Sequence, residues 1–236
     1  MIKTDKFQCM LAHKVGNKPT DWSDSYIQPK LDGVRCYITS QGAFSRNHKP
    51  FHNANHILRE LEQVFSKYPD IILDGELYNH KLKDNFNKII SLVRKQTPTF
   101  ADMSEAQSLV QFHCYDLFNP KFPNDNYYQR ASDIDSIIDV YGPVYTKSVP
   151  FQIVLSLNAA KNYHQVNLID GYEGSILRYN KPYEQKRSYN LQKFKDFHDT
   201  EATIVGWVEG QGKRTGTISK FLAVDSNGVK FGMPVM

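Results

Sequence analysis

Two stretches decide how this chain is read. Gln28-Pro29-Lys30-Leu31-Asp32-Gly33-Val34-Arg35 runs from a loop into an apolar strand, and Ile72-Leu73-Asp74-Gly75-Glu76-Leu77-Tyr78 sets two carboxylates inside another. In the first, Pro29 fixes its own φ and biases Gln28 toward extended backbone. Lys30 then stands at a loop-to-strand junction with Asp, Gly and Arg close behind. A lysine so placed suits covalent catalysis, because its amine attacks phosphorus when neutral, a state that burial or neighbouring cations promote. In the second stretch, period-2 alternation places Asp74 and Glu76 on one face of an otherwise apolar strand. Carboxylates there need a partner: a metal, a ribose hydroxyl or an arginine.

Outward from these stretches, the apolar spacing alternates between strand-like and helix-like. Val34 to Thr39, Ile71 to Tyr78, Val110 to Phe118, Val144 to Val149, Ser175 to Tyr179 and Leu191 to Phe197 read as strands. Helical spacing covers Ile57 to Tyr68, ended by Pro69, then Phe86 to Val93, Tyr127 to Val140, stopped by Gly142-Pro143, and Ile153 to Val166. Strands with interspersed helices and no regular βαβ rhythm predict an α+β fold with largely antiparallel sheets. The character changes after about Asp199. Ala202 to Val208, Ile218 to Val224 and Val229 to Gly232 read as short strands, with an Asn227-Gly228 hairpin turn before the last. The predicted domains are 1–199 and a small all-β domain, 200–236.

Two further stretches repeat the chemistry. Tyr172-Glu173-Gly174-Ser175 puts a carboxylate and a glycine at the entry of an apolar strand. In Leu191-Gln192-Lys193-Phe194-Lys195, period 2 puts both lysines on one face, where they repel unless an anion such as phosphate lies between them. Each stretch alone also reads as a solvated turn, an edge strand with its acids in water, or surface charge. Their combination argues for a site that handles phosphate.

Composition permits this reading and narrows the rest. A chain of 236 residues holds one to two domains, and 40% apolar with 23% charged residues is ordinary soluble usage. The formal charge of +4 admits a polyanionic partner without demanding one. Cys9, Cys36 and Cys114 lie far apart with no CxxC spacing, so neither a disulfide framework nor a zinc site is expected. The N-terminus has no apolar signal segment, and no run approaches the ~18 apolar residues of a membrane span. The expected location is cytoplasmic, in a bacterial or virus-infected cell, with no membrane partner.

In this order the four stretches resemble the motifs of the covalent nucleotidyltransferase superfamily. The closest resemblance is to compact viral or phage-like ATP-dependent DNA ligases, over roughly Met10 to Phe231. It implies an ATP-grasp-like nucleotidyltransferase domain of antiparallel sheets flanked by helices, followed by a partial or truncated OB-fold. Lys30 would be the nucleophile that takes AMP from ATP, and Arg35 would contact the ribose. Ser45-Arg46-Asn47-His48-Lys49 resembles the next motif, with His48 where glycine is usual. It would bring Arg46 to the nucleotide or to the 5′-phosphate of a nick. Glu76 matches a carboxylate at the ribose or metal, Glu173 the metal-associated glutamate, and Lys193 and Lys195 the pair that binds the α-phosphate.

Tyr115, in Phe112-His113-Cys114-Tyr115-Asp116-Leu117-Phe118, holds the place of the aromatic that stacks on adenine. Gln28 holds that of a residue reading the adenine N6 edge. The implied metal is Mg²⁺ or Mn²⁺. The implied partner is nicked duplex DNA, contacted by Arg46, Lys49, Lys213, Arg214 and Lys220. The implied enzyme is a monomer that seals 3′-OH/5′-phosphate nicks through lysine–AMP and a DNA-adenylate, in replication or repair. An RNA ligase of the same superfamily and an adenylation-impaired nick-binding protein stay open as alternatives. The family's OB-fold ends in a basic motif without counterpart here, and only about three strands fit after Phe197.

Overall fold

The two deciding strands lie side by side in one sheet, with one face apolar and the other carrying the polar residues. That sheet runs β4 (Gly42–Phe44), β3 (Val34–Thr39), β5 (Ile72–Tyr78), β6 (Gln111–Phe118) and β7 (Thr146–Ser148). A second five-stranded sheet runs β1 (Leu11–Lys14), β10 (Arg187–Phe194), β9 (Gly174–Tyr179), β2 (Ser25–Lys30) and β8 (Gln152–Val154). Pairing is antiparallel except at β1–β10 and β6–β7. The computed structural model describes residues 7–16, 21–195 and 201–235. The chain divides into two compact units, Met1–Lys195 and Asp196–Met236. The boundary expected at 199/200 lies outside the described residues.

Cys36, Ile38, Leu73, Leu77, Phe112 and Leu117 form the apolar face of the first sheet. They pack against α1 (Asn55–Glu60), α2 (Glu62–Lys67), α3 (Phe86–Val93), α4 (Phe100–Leu109) and α5 (Tyr127–Tyr141). On the second sheet, Ala160 of α6 (Leu157–Ile169) packs on Ile27 and Leu177. A separate cluster joins the two sheets: Tyr37, Ile72 and Phe118 from the first meet Leu191 of β10, with Phe7 and Tyr183 between. Each such side chain contributes about 1.5–3 kcal/mol on burial. The polar residues of β2, β3, β5 and β9 gather beside this cluster.

Local signals explain where the elements depart from simple periodicity. Ile57 to Tyr68 is two short helices, broken at Leu61 (φ −92°, ψ 0°). The segment expected to be helical from Ile153 begins instead as β8, which pairs with β2. The helix starts only after Ser156, whose Oγ accepts from the Ala159 amide at 3.1 Å. α4 has little amphipathic pattern and is announced by its capping box, Thr99 with Asp102. β2 tolerates Pro29 because β8 pairs only with Ser25 to Ile27, while β9 pairs with all six residues.

In the second unit, β11 (Ala202–Glu209), β12 (Ile218–Asp225) and β13 (Lys230–Pro234) form an antiparallel meander. Trp207 and Met233 stand opposite Phe221, and Lys220 alternates to the other face. Among the described residues this unit has three strands. No described helix is long and apolar enough to cross a membrane.

Candidate active site

Lys30 ends β2 opposite Gly174, the first residue of β9. The Glu173 amide donates to the Lys30 carbonyl at 3.2 Å, so the two motifs are joined through their backbones. Gly174 is required there: its φ is +152°, and a Cβ would lie 2.5 Å from the Phe194 carbonyl oxygen. Gly33 is required for a similar reason, since a Cβ would lie 2.6 Å from Glu76 Cγ and 2.5 Å from the Leu77 carbonyl oxygen. These close approaches bring the Lys30 loop, the Glu76 strand and the Glu173 turn to one point.

Glu173 joins the lysines. Its Oε2 contacts Lys30 Nζ, and its Oε1 accepts from Lys195 Nζ at 2.5 Å. Burial alone would raise this carboxyl, but hydrogen bonds from Lys195 and Lys30 hold it below its ordinary value. Glu173 thus bridges Lys30 and Lys195. Lys193 lines the adjoining pocket. Glu76 is half-buried, and desolvation pushes its carboxyl up to about 8 against the pull of Arg35 and Lys30. The Tyr115 hydroxyl donates to Glu76 Oε2 at 3.4 Å. Asp74 has the arginine partner: Arg35 Nε and Nη2 reach its oxygens at 3.1 and 2.5 Å, and the Tyr183 hydroxyl adds a bond at 2.7 Å.

A bulge in β6 arranges the far wall. Asp74 pairs with Asp116 but Gly75 pairs with Cys114, which leaves Tyr115 as the extra residue. Cys114 and Leu117 remain in the helix-side core, so Tyr115 and Asp116 both turn away from it. Asp116 is fully buried and binds Arg130 through Nε (2.7 Å) and Nη2 (3.2 Å), and Arg178 through Nη1 (2.6 Å). Burial would raise its carboxyl; the two arginines outweigh that and hold it low. Arg178 Nε donates in turn to Gln28 Oε1 at 2.6 Å, and Gln28 Nε2 donates to the Val149 carbonyl at 3.0 Å. Asp116, Arg130 and Arg178 escaped the sequence reading. A carboxylate inside an apolar strand was the available signal at Asp116, as it was at Asp74 and Glu76.

Two adjoining hollows open on these groups. One, of about 300 Å³, is lined by Gln28, Lys30, Tyr115, Arg178 and Lys193. The other, of about 620 Å³, is lined by Ser45, Arg46 and Lys49, and shares Arg35, Arg46 and Glu76 with the first. The Ser45–Lys49 turn is closed by His48 N–H to Ser45 O and Ser45 N–H to Lys49 O, both 2.8 Å. His48 takes the left-handed φ of +61° that a glycine would adopt, and its Nδ1 meets the Tyr37 hydroxyl at 2.8 Å. Lys213 and Arg214, in a 3-10 turn, and Lys220, on β12, are exposed in the second unit.

Glu76 and Glu173 are the residues that could hold a metal. Among the described residues no three His, Cys, Asp or Glu side chains form a metal cage. Two carboxylates fit Mg²⁺, which takes one or two of them together with substrate phosphates.

Comparison with known proteins identifies the family. Residues 9–195 match the pattern of the ATP dependent DNA ligase domain. A DNA ligase of Haemophilus influenzae is 23% identical over 212 residues, covering 86% of this chain and 69% of that protein. A Lig E DNA ligase superposes with a TM-score of 0.78 at 22% identity, covering 97% of this chain and 84% of the other. A chlorella virus DNA ligase-adenylate gives a TM-score of 0.65 at 20% identity, covering 97% and 82%. The mixed fold is thus the nucleotidyltransferase fold of these enzymes, and the chain belongs to the ATP-dependent DNA ligase family, enzymes that form phosphodiester bonds.

Proposed function

We propose that this chain seals nicks bearing a 3′-hydroxyl and a 5′-phosphate in duplex DNA, with Lys30 as the residue that carries AMP. The observation that carries the reading is Lys30 Nζ held on Glu173 beside Lys195, at the mouth of the pocket lined by Gln28, Tyr115 and Lys193. Without nucleotide, Glu173 neutralises two lysines; an α-phosphate arriving between them takes over that role. Lys30, after giving up a proton to solvent, attacks the α-phosphorus as the neutral amine; a P–N bond forms, the P–O bond to the β-phosphate breaks, and pyrophosphate leaves. The 5′-phosphate of the nick next attacks the same phosphorus and frees Lys30. The 3′-hydroxyl finally attacks the adenylated 5′-phosphate, closing the phosphodiester and releasing AMP.

Charge accumulates on phosphate oxygens throughout, and Lys193, Lys195 and Arg46 supply fixed positive charge. A divalent ion, held by Glu76 and Glu173, would add charge neutralisation at the same oxygens. Tyr115 offers the ring for adenine, and Gln28, oriented by Arg178, sits at the pocket wall where the base edge would lie. Arg35, clamped by Asp74, stands at the ribose. In the second unit we assign Lys213, Arg214 and Lys220 to backbone phosphates of the duplex, and read the three strands as part of an OB-fold. Incubation with labelled ATP and Mg²⁺ tests the reading: the chain should acquire a covalent AMP, and Lys30→Ala should acquire none. Label persisting on that variant would refute the assignment.

A further inference from the structure

The larger hollow carries charge, at Lys49 and Arg94, that the lysine–AMP chemistry leaves unused. Its lining includes Arg35, Arg46, Lys49 and Arg94 against the single carboxyl of Glu76. Arg35 is taken by Asp74. Arg46, Lys49 and Arg94 have no ion-pair partner among the described residues, whereas the nearby Lys88 pairs with Glu105 at 2.6 Å and Lys95 pairs with Asp102. Arg94 is the C-cap of α3, and Arg94 and Gln96 line this hollow together with Ser45, Arg46 and Lys49.

This part of the lining is built rather than incidental. Ile89, Leu92 and Val93 anchor α3 on the sheet that carries Arg35 and Glu76. Asn53, 1% exposed, donates from Nδ2 to the Leu92 carbonyl at 3.0 Å and the Asp102 carbonyl at 3.2 Å. One buried amide therefore ties the end of α3 and the first turn of α4 to the segment that leaves the Arg46 turn. Asp102, capping α4 with Thr99, also takes Lys95, which leaves Arg94 as the unpaired cation of its turn.

We propose that Arg94, supported by Gln96, binds a backbone phosphate of the nicked duplex in the hollow that Arg46 also lines. This rests on the nick-sealing reading above. Arg94 and Gln96 are exposed. That suits a polymer which continues past the site better than the tail of a nucleotide enclosed beside Lys30. Unpaired arginines release counterions when they meet DNA, so the contact should show in the salt dependence of binding.

The test compares the full chain with Arg94→Ala and Arg94→Lys. Two quantities are measured: the rate and ATP dependence of AMP labelling, and the affinity for a 5′-phosphorylated nicked duplex between 50 and 200 mM KCl. For Arg94→Ala, nick affinity should fall roughly tenfold at the lower salt, and the slope of log K against log salt should become shallower by about 0.9, one phosphate contact. Labelling should change less than about twofold, and Arg94→Lys should restore most of the slope. An unchanged slope overturns the proposal. So does a raised ATP requirement with normal nick binding, which would give the hollow to the triphosphate tail. If the unaltered chain takes no label from ATP, the Lys30 reading fails instead, and the Arg94 contact is still decided by the salt slope.

Discussion

Asp116→Asn keeps the shape of a buried side chain and removes the one charge that balances two arginines. Asp116, Arg130 and Arg178 are 0%, 4% and 4% exposed, so water cannot take over the lost role. Removing one partner of a buried ion pair costs about 3–5 kcal/mol. Arg130 keeps its bonds to the Asp125 and Lys181 carbonyls, at 2.7 and 3.0 Å, and Arg178 keeps Gln28. The lower end, about 3 kcal/mol, is therefore expected. With a urea m-value of about 2 kcal/mol/M, the midpoint should fall by roughly 1.5 M. The thermal midpoint should fall by roughly 6–12 °C.

Far-UV circular dichroism in a urea series at pH 7.5 measures the loss. Adding Arg130→Met to Asp116→Asn should recover part of it, because one uncompensated cation is gone. The pH dependence has a definite sign. Asp116 titrates below its unfolded value of about 3.9, so its stabilisation is complete above that pH and lost as pH falls through the lower folded value. The gap between the unaltered chain and Asp116→Asn should close in acid. A loss under about 1 kcal/mol at pH 7.5 with unchanged m, or a gap that persists in acid, would refute the argument.

His113 is neutral in the fold because burial, with Lys147 and His80 adding to it, lowers its value to about 4. Between pH 6.5 and 4 the unfolded chain binds the extra proton, so stability falls with acid; His113→Asn should flatten that limb by about 3 kcal/mol, read from urea midpoints across the range. His48→Gly exchanges left-handed strain of about 1–2 kcal/mol for a lost Tyr37 bond of about 1, so its midpoint should stay within about 1 kcal/mol of the unaltered chain, whereas His48→Val should lose about 2. Gly33→Ala must displace Glu76 or the Leu77 carbonyl, an overpacking cost of about 1–3 kcal/mol. AMP labelling of Lys30 should fall at least ~10-fold in that variant; normal labelling would show that the close approach is not needed.

Much of this protein was legible along the chain because the signals are local. Alternation in Val34 to Thr39 and Ile72 to Tyr78 reports a half-buried strand wherever it occurs. A carboxylate inside such a strand announces a partner, and Lys30, Glu76 and Glu173 stand out by residue type and surroundings. The α+β class follows from the rhythm of the elements, and the family from the order of the motifs. Pairings set by folding were not legible. Which group neutralises Lys195 depends on Glu173 entering β9 opposite Lys30, a contact across 143 residues. That Tyr115 and Asp116 both face inward depends on a bulge, and one extra residue reverses the side on which every later side chain falls. That Arg94 and Arg46 line one hollow depends on Asn53 holding two helix ends together. Sequence fixes which groups are available, because composition and period are properties of the chain. Tertiary structure alone decides which of them share a few ångströms, because charge and hydrogen bonding act through distance in space.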